Sequence, residues 1–71
     1  MSSVKDRLKE LREEKGISQD YLAKQTGLSQ SSIAYWERGE RVPSAQAIII
    51  LAKYFEVSTD YLLGVIDKNE V

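Results

Sequence analysis

Apolar residues recur along this 71-residue chain at spacings of three and four, the repeat of an amphipathic helix. No segment alternates apolar and polar residues between hairpin turns, so the pattern predicts no strands. It predicts five helices, over residues 4–15, 19–25, 30–38, 45–55 and 59–63, and therefore an all-α fold, a compact five-helix bundle. The apolar positions of these runs are expected to form the core: Val4, Leu8, Leu11, Leu22, Ala23, Ile33, Trp36, Ile48, Leu51, Ala52, Phe55, Leu62 and Leu63.

Serines and glycines mark the predicted helix ends. A serine hydroxyl can accept a hydrogen bond from the free N–H groups of a first turn, and one serine precedes each run. Glycine adopts the left-handed conformation that commonly ends a helix. At Glu56 the predicted end of the fourth helix has no such residue. The predicted caps are Ser3, Ser18, Ser29, Ser44 and Ser58, and the predicted stops are Gly16, Gly27, Gly39 and Gly64.

Composition narrows the class of protein. With 42% hydrophobic and 30% charged residues, the chain reads as one globular domain near the lower size limit for a sufficient core. It has no cysteine and no histidine, which excludes disulfides, thiolate metal sites and the commonest general base. No apolar run approaches the roughly 20 residues of a membrane span. We expect no cofactor, no small-molecule ligand and no membrane partner, and a cytoplasmic location.

Charge alone does not indicate nucleic-acid binding. The net charge is −1, but residues 1–41 carry eight Lys and Arg against seven Asp and Glu, whereas residues 42–71 carry two against four. The first part of the chain is therefore slightly basic, and the distribution favours a charged partner there only weakly.

The third predicted helix has a distinctive outward face. Stepping 100° per residue from Ile33 places Ser29, Trp36 and Glu37 near the core. Small, polar, aromatic and cationic side chains then face outward, and such a set could read base edges while the arginines bind phosphates. An ordinary helix start with a solvated Arg38 would look the same, and this helix alone does not decide. The outward set is Gln30 at the flank, Ser31, Ala34, Tyr35 and Arg38, with Arg41 beyond.

Glu37 requires a cation because its predicted position is near the core, where an unpaired carboxylate is costly. Arg12 flanks the apolar stripe of the first helix and is the natural partner, with Lys15 as the second choice. We predict a structural ion pair between Arg12 and Glu37 that joins the first helix to the third. The alternative is that both are surface charges.

The segment QDYLAKQTGLSQSSIAYWER, residues 19–38, resembles the helix-turn-helix of the lambda-repressor/Cro-like family, also called Xre-type regulators. The resemblance extends over residues 4–64 and includes WERG, Pro43 and the segment VSTDYLLG. Three positions depart from the family pattern. Thr26 stands where an aliphatic residue is usual, and Glu56 stands where a helix-ending Gly or Asn would be easier. Ala34 cannot hydrogen-bond a base and shifts specificity toward methyl contacts and DNA shape. The matching motif positions are Leu22, Ala23, Gly27, Leu28, Ile33 and Trp36.

The resemblance implies a sequence-specific DNA-binding transcriptional regulator, repressor-like, with helix 30–38 in the major groove of double-stranded DNA. Such a protein is bacterial or phage-encoded and nucleoid-associated. The family pattern also contains the Arg12–Glu37 pair. It implies base contacts from Gln30, Ser31, Ala34 and Tyr35, and phosphate contacts from Gln19, Ser29, Ser32, Arg38 and Arg41.

A homodimer is expected, because one copy would read too few base pairs to be specific. The fourth helix has a second apolar stripe at Ala47, Ile50 and Tyr54. We divide the chain into a DNA-binding domain, residues 1–66, and a short C-terminal tail, residues 67–71; whether a longer regulator continues beyond it is open. The alternative to a dimer is a tail that folds over its own fourth helix. The predicted dimer contact comprises Ile50, Tyr54, Tyr61, Val65 and Ile66.

Two other functions are compatible with such a fold. A protein-interaction module, such as the antitoxin of a toxin–antitoxin pair, would depend on the Ile50 and Tyr54 face and not on Gln30. An enzyme is not expected, because the candidate carboxylates Glu13, Glu14 and Asp20 fall on solvated helical surfaces with no implied pocket.

Overall fold

Five helices account for most of residues 3–69, which are the residues that the computed structural model describes. The all-α, five-helix prediction is confirmed. Three predicted ends shift by one residue, to residues 14, 26 and 62. The helices are α1 (Val4–Glu14), α2 (Gln19–Thr26), α3 (Gln30–Arg38), α4 (Ala45–Phe55) and α5 (Thr59–Leu62).

Every helix begins at the serine that the sequence predicts. Each serine is extended, and its hydroxyl accepts a hydrogen bond from the N–H three residues further on. A serine cap of this kind stabilises a helix by about 1 kcal/mol relative to alanine. The same device at five starts is therefore a substantial contribution for so small a domain. The cap and donor pairs are Ser3 with Asp6, Ser18 with Tyr21, Ser29 with Ser32, Ser44 with Ala47, and Ser58 with Tyr61.

The core lies where α3 packs against α1 and α2, and where α4 packs against α2 and α5. Its centre consists of aliphatic side chains with no exposed surface, each contributing about 1.5–3 kcal/mol through burial. Most of the predicted core is found there. The fully buried residues are Leu8, Leu22, Ile33, Leu51 and Leu62.

Three apolar positions differ from the predicted burial pattern. Leu63 was expected in the core but is 39% exposed, because α5 ends at Leu62 and the chain turns away. Val4 is only half-buried, at the first turn of α1. Ala47, assigned to a second apolar stripe on α4, lies in the core at 4% exposure, so the buried face of α4 is wider than the sequence suggested.

Arg7 is a buried cation that the apolar pattern did not reveal. It is 3% exposed, and its guanidinium carbon lies 3.8 Å from the centre of the Tyr61 ring. Its Nη1 donates to the carbonyl of Tyr61 at 2.9 Å, at the C-terminal end of α5, and Nη2 lies 3.7 Å from the exposed carboxylate of Asp67. α5 has only four residues, and Arg7 stabilises its C-terminal end by donating to a carbonyl that has no partner within the helix.

Residues 65–69 return toward the turn between α4 and α5. The amide of Asn69 donates to the carbonyl of Glu56 at 3.2 Å, and its oxygen accepts from the N–H of Ser58 at 2.9 Å. The predicted tail of residues 67–71 is therefore bonded to the domain as far as Asn69. Its last two residues lie outside the described part of the chain, as do residues 1 and 2.

Glu56 is the one non-glycine residue with a positive φ among residues 3–69, at 57°. We expect Glu56→Gly to be about 1 kcal/mol more stable to urea unfolding than Glu56→Ala, because only glycine relieves the left-handed strain. The two variants remove the same charge, so alanine is the matched control. Equal stability of the two would contradict a strained end of α4.

Candidate nucleic-acid interface

α2 and α3 are joined by a short turn whose geometry depends on Gly27. This glycine has φ = 77° and its N–H donates to the carbonyl of Ala23, which closes α2. Ala23, on α2, is 8% exposed, and α2 packs against α3. The hydroxyl of Thr26, the polar departure from the family pattern, donates to the carbonyl of Leu22 at 2.8 Å. It is therefore satisfied within its own helix.

The predicted ion pair between Arg12 and Glu37 is present and nearly buried. Arg12 Nε donates to Glu37 Oε2 at 2.7 Å and Nη2 to Oε1 at 2.9 Å, with side-chain exposures of 14% and 4%. Nη1 also donates to the carbonyl of Ile17 at 2.7 Å, in the turn before α2. Hydrogen bonding to Glu37 raises the pKa of Arg12, and desolvation opposes this only in part. The pair joins α1, α3 and the start of α2.

A chain of hydrogen bonds runs from this ion pair to the outward face of α3. Gln19 Nε2 donates to Glu37 Oε1 at 3.1 Å, and Gln30 Nε2 donates to Gln19 Oε1 at 3.0 Å. A carboxylate can only accept, so Glu37 fixes the amide orientation of Gln19, and Gln19 in turn fixes that of Gln30. Gln30 is left with its oxygen and one N–H free. Residue spacing alone did not predict this chain.

The outward face of α3 sorts largely as predicted. Gln30, Ser31 and Arg38 are exposed, Ala34 and Tyr35 are half-buried, and Ile33 and Trp36 lie in the core. Ser29 differs from its predicted inward position because it is exposed. Its hydroxyl is used within the helix, accepting from the Ser32 N–H at 3.1 Å and donating to the Ser32 hydroxyl at 2.7 Å.

Two arginines lie over the ring of Tyr35. The guanidinium carbons of Arg38 and Arg41 are 4.9 and 4.5 Å from the ring centre, within the range of cation–π attraction. Arg38 also forms an exposed ion pair with Glu40. The C-terminal end of α3 and the following loop therefore carry positive charge beside the polar row. The sequence indicated the charges but not their contact with Tyr35.

The predicted dimer residues are placed unevenly on the surface. Val65 is 57% exposed, whereas Ile50, Tyr54, Tyr61 and Ile66 are half-buried. The Tyr61 ring lies under Arg7, and the Tyr54 ring packs edge-on against Phe55 with centres 5.1 Å apart. A different apolar groove contains the exposed side chains of Ile49 and Leu63. Its other lining residues are Pro43, Ala45, Ile48 and Thr59.

The remaining candidates from the sequence are solvated. Glu13, Glu14 and Asp20 are exposed, and Asp20 forms an i,i+4 pair with Lys24 at 3.2 Å. Within residues 3–69, no group of three or more carboxylates is placed to hold a metal ion. No helix in that range is both long and apolar enough to cross a membrane.

Comparison with known proteins identifies the family. The helix-turn-helix family model matches residues 8–62, from the middle of α1 to the end of α5. The chain belongs to the helix-turn-helix family. The lambda-repressor/Cro-like resemblance predicted from residues 4–64 is thereby confirmed.

One helix-turn-helix relative is AnsR, a transcriptional regulator of Bacillus subtilis strain 168. The two are 44% identical over 59 residues, which are 83% of this chain and 51% of AnsR. The chain thus spans about half the length of this relative.

Two solved structures share the helix-turn-helix fold. The c2 repressor of Salmonella phage P22, in complex with a synthetic operator, superposes with a TM-score of 0.82 at 33% identity, over 89% of this chain and 96% of that one. The restriction-modification controller protein C.AhdI from Aeromonas hydrophila gives 0.77 at 39% identity, over 83% and 89%.

Removing one partner of the buried ion pair should be strongly destabilising. We expect Arg12→Met to cost about 3 kcal/mol in urea unfolding, because Glu37 would be left buried without its cation. Adding Glu37→Met should recover part of that loss. Lys24→Met, which breaks an exposed pair, is the control and should change stability by about 0.5 kcal/mol or less. A double variant less stable than Arg12→Met would contradict this account.

Proposed function

We propose that this chain is the DNA-binding part of a sequence-specific transcriptional regulator, repressor-like, that binds a pseudo-palindromic operator as a dimer with α3 in the major groove. The observation that carries the proposal is the polar row on the outward face of α3, held at Gln30 by hydrogen bonds that begin in the core. A repressor of the same fold, solved on operator DNA, supports the choice of ligand.

Gln30 is the main base reader in this proposal, with Ser31, Ala34 and Tyr35 beside it. Its bond to Gln19 uses one amide hydrogen and leaves one donor and one acceptor. Adenine presents the complementary pair in the major groove, an N7 acceptor and an N6 donor. The geometry therefore favours adenine opposite Gln30. Ala34 can contribute only an apolar contact, such as one to a thymine methyl group.

Phosphate contacts are proposed for side chains around this row. Gln19 donates one N–H to Glu37, and its oxygen accepts from Gln30. Its second amide N–H is left for a phosphate at the start of α2. Arg38 and Arg41 supply charge at the other end of α3. Such contacts fix orientation without reading sequence. The full proposed set is Gln19, Ser29, Ser32, Arg38 and Arg41.

Selection of bound duplexes from a random DNA pool, at about 0.15 M salt, tests the proposed function. We expect enrichment of a two-fold motif with half-sites about 34 Å apart, because a symmetric dimer addresses one half-site per protomer. Adenine should dominate at one position of each half-site, and Gln30→Ala should flatten the preference there. Recovery of pool DNA without enrichment would overturn sequence-specific binding.

The division into base readers and phosphate contacts has its own test on the enriched duplex. Arg41→Ala should weaken binding to enriched and unrelated duplexes by the same factor, whereas Ser31→Ala should weaken only the former. Both affinities can be measured by fluorescence anisotropy. If the two variants behave alike, the division is wrong.

Two surfaces could form the dimer contact, and charge substitutions distinguish them. One is the groove that contains Ile49 and Leu63. The other is the proposed contact, which comprises Ile50, Tyr54, Tyr61, Val65 and Ile66. Val65→Asp places a charge at the most exposed member of the proposed contact and should produce a monomer in sedimentation at concentrations where the parent is dimeric. Ile49→Asp introduces the same charge in the groove and should leave the dimer intact. The reverse result would assign the contact to the groove.

A further inference from the structure

An open cleft separates the first turn of α1 from the segment that joins α3 to α4. Lys5 lines one wall, and Arg38 and Arg41 line the other. All three cations are exposed, and among residues 3–69 the one carboxylate paired with them is Glu40, on Arg38. Three positive charges therefore line the cleft, and Glu40 beside it offsets part of one of them. Its remaining lining residues are Ser3, Val4, Gly39 and Val42.

Lys5 reaches this cleft across the C-terminal end of α3. Its aliphatic stem lies against Gly39, where an added Cβ would be 2.9 Å from Lys5 Cδ. The φ of 76° favours glycine at this position, and the missing Cβ leaves room for the lysine stem, which would have to shift if a side chain were added. The negative end of the α3 dipole also favours a cation at this position. The lysine is thus packed in place along part of its length.

Tyr35 positions the two arginines on the opposite wall of the cleft. Arg38 and Arg41 are close in sequence and carry like charges, yet both lie within 5 Å of one ring centre. The attraction of each guanidinium to the ring offsets part of their mutual repulsion. An anion placed in the cleft would reduce that repulsion further. The ring thus assembles a site of positive charge before any ligand arrives.

We infer that this cleft binds one phosphate of the DNA backbone, with Lys5 as an additional phosphate-binding residue and Tyr35 as the residue that positions Arg38 and Arg41. The inference rests on the proposed DNA-binding function and adds to it. It gives Tyr35 a role in affinity for any sequence, besides its proposed place in the row of base readers. It also brings α1 into the interface.

The salt dependence of binding to an unrelated duplex tests whether Lys5 contacts a phosphate. Each phosphate contact contributes about 0.9 to the slope of log K against log salt concentration. One contact therefore makes the affinity about eightfold higher at 0.1 M salt than at 1 M salt. Lys5→Gln should lower the slope, by up to about 0.9, because Arg38 and Arg41 remain at the same phosphate. Lys53→Gln removes the same charge from the last turn of α4 and should leave the slope unchanged. Equal slopes for Lys5→Gln and the parent would overturn the assignment.

Glycine variants test the packing of Lys5 without removing its charge. Gly39→Ala and Gly16→Ala both place a side chain at a φ near 70°, but only the former meets the lysine stem. If the lysine is held as described, Gly39→Ala should lower the salt slope and Gly16→Ala should not. Equal slopes for the two variants would overturn the packing argument. Circular dichroism at the binding temperature establishes that both are folded.

Conservative replacements test the positioning role of Tyr35. Tyr35→Phe keeps the ring and should retain the salt slope, whereas Tyr35→Leu should weaken binding to all duplexes several-fold. Arg41→Ala should lower DNA affinity less in the Tyr35→Leu background than in the parent. In that background no ring holds Arg41 in position, so its removal has less effect. Additive effects, or a loss in Tyr35→Phe equal to that in Tyr35→Leu, would overturn the positioning role.

Two further arms separate the possible sources of failure. If the parent binds no duplex at any salt concentration, the proposed function fails; if it binds and no slope changes, only the cleft assignment fails. Inorganic phosphate, titrated into the DNA complex at constant ionic strength, should not displace the duplex. Displacement by phosphate with no loss in Lys5→Gln would indicate a site for the free anion and contradict the assignment to DNA.

Discussion

The buried pair of Arg12 and Glu37 is the interaction on which the arrangement of this domain depends. One guanidinium holds α3 through two bonds to the carboxylate and the turn before α2 through a third bond to a carbonyl. The position of α3 relative to α1 and α2 is thereby defined by directional contacts as well as by apolar packing. Because the carboxylate also orients Gln19, and through it Gln30, the core and the outward face of α3 belong to one hydrogen-bonded system.

Local rules were sufficient to predict the helices. Serine caps and a repeat of three to four residues gave all five elements, and a helical wheel placed Glu37 close enough to the core to require Arg12. These features depend on neighbours in sequence or on one angle. Three helix ends shifted by one residue although a predicted glycine stop followed each of them, because a glycine defines a helix end only to within a residue or two. Leu63 was misassigned because a four-residue helix has no reliable face.

Contacts between distant residues could not be predicted in the same way. Arg7 is buried because its partner is the end of α5, 54 residues away, and a charged side chain gives no apolar signal. The bond between Gln19 and Gln30 depends on the closeness of two helices and on an acceptor contributed by a third. The position of the arginines over Tyr35 depends on the path of the loop after α3. Tertiary geometry decides each of these.

The serine caps have a consequence for how the domain responds to its solution. A hydroxyl carries no charge, so the five helix starts keep their hydrogen bonds at any ionic strength, and the central ion pair is too buried to be strongly screened. The exposed cations, by contrast, are fully open to counterions. The stability of the fold and the attraction to a polyanion therefore depend differently on salt in this chain. Added salt should weaken binding to a polyanion at concentrations that leave the folded structure intact.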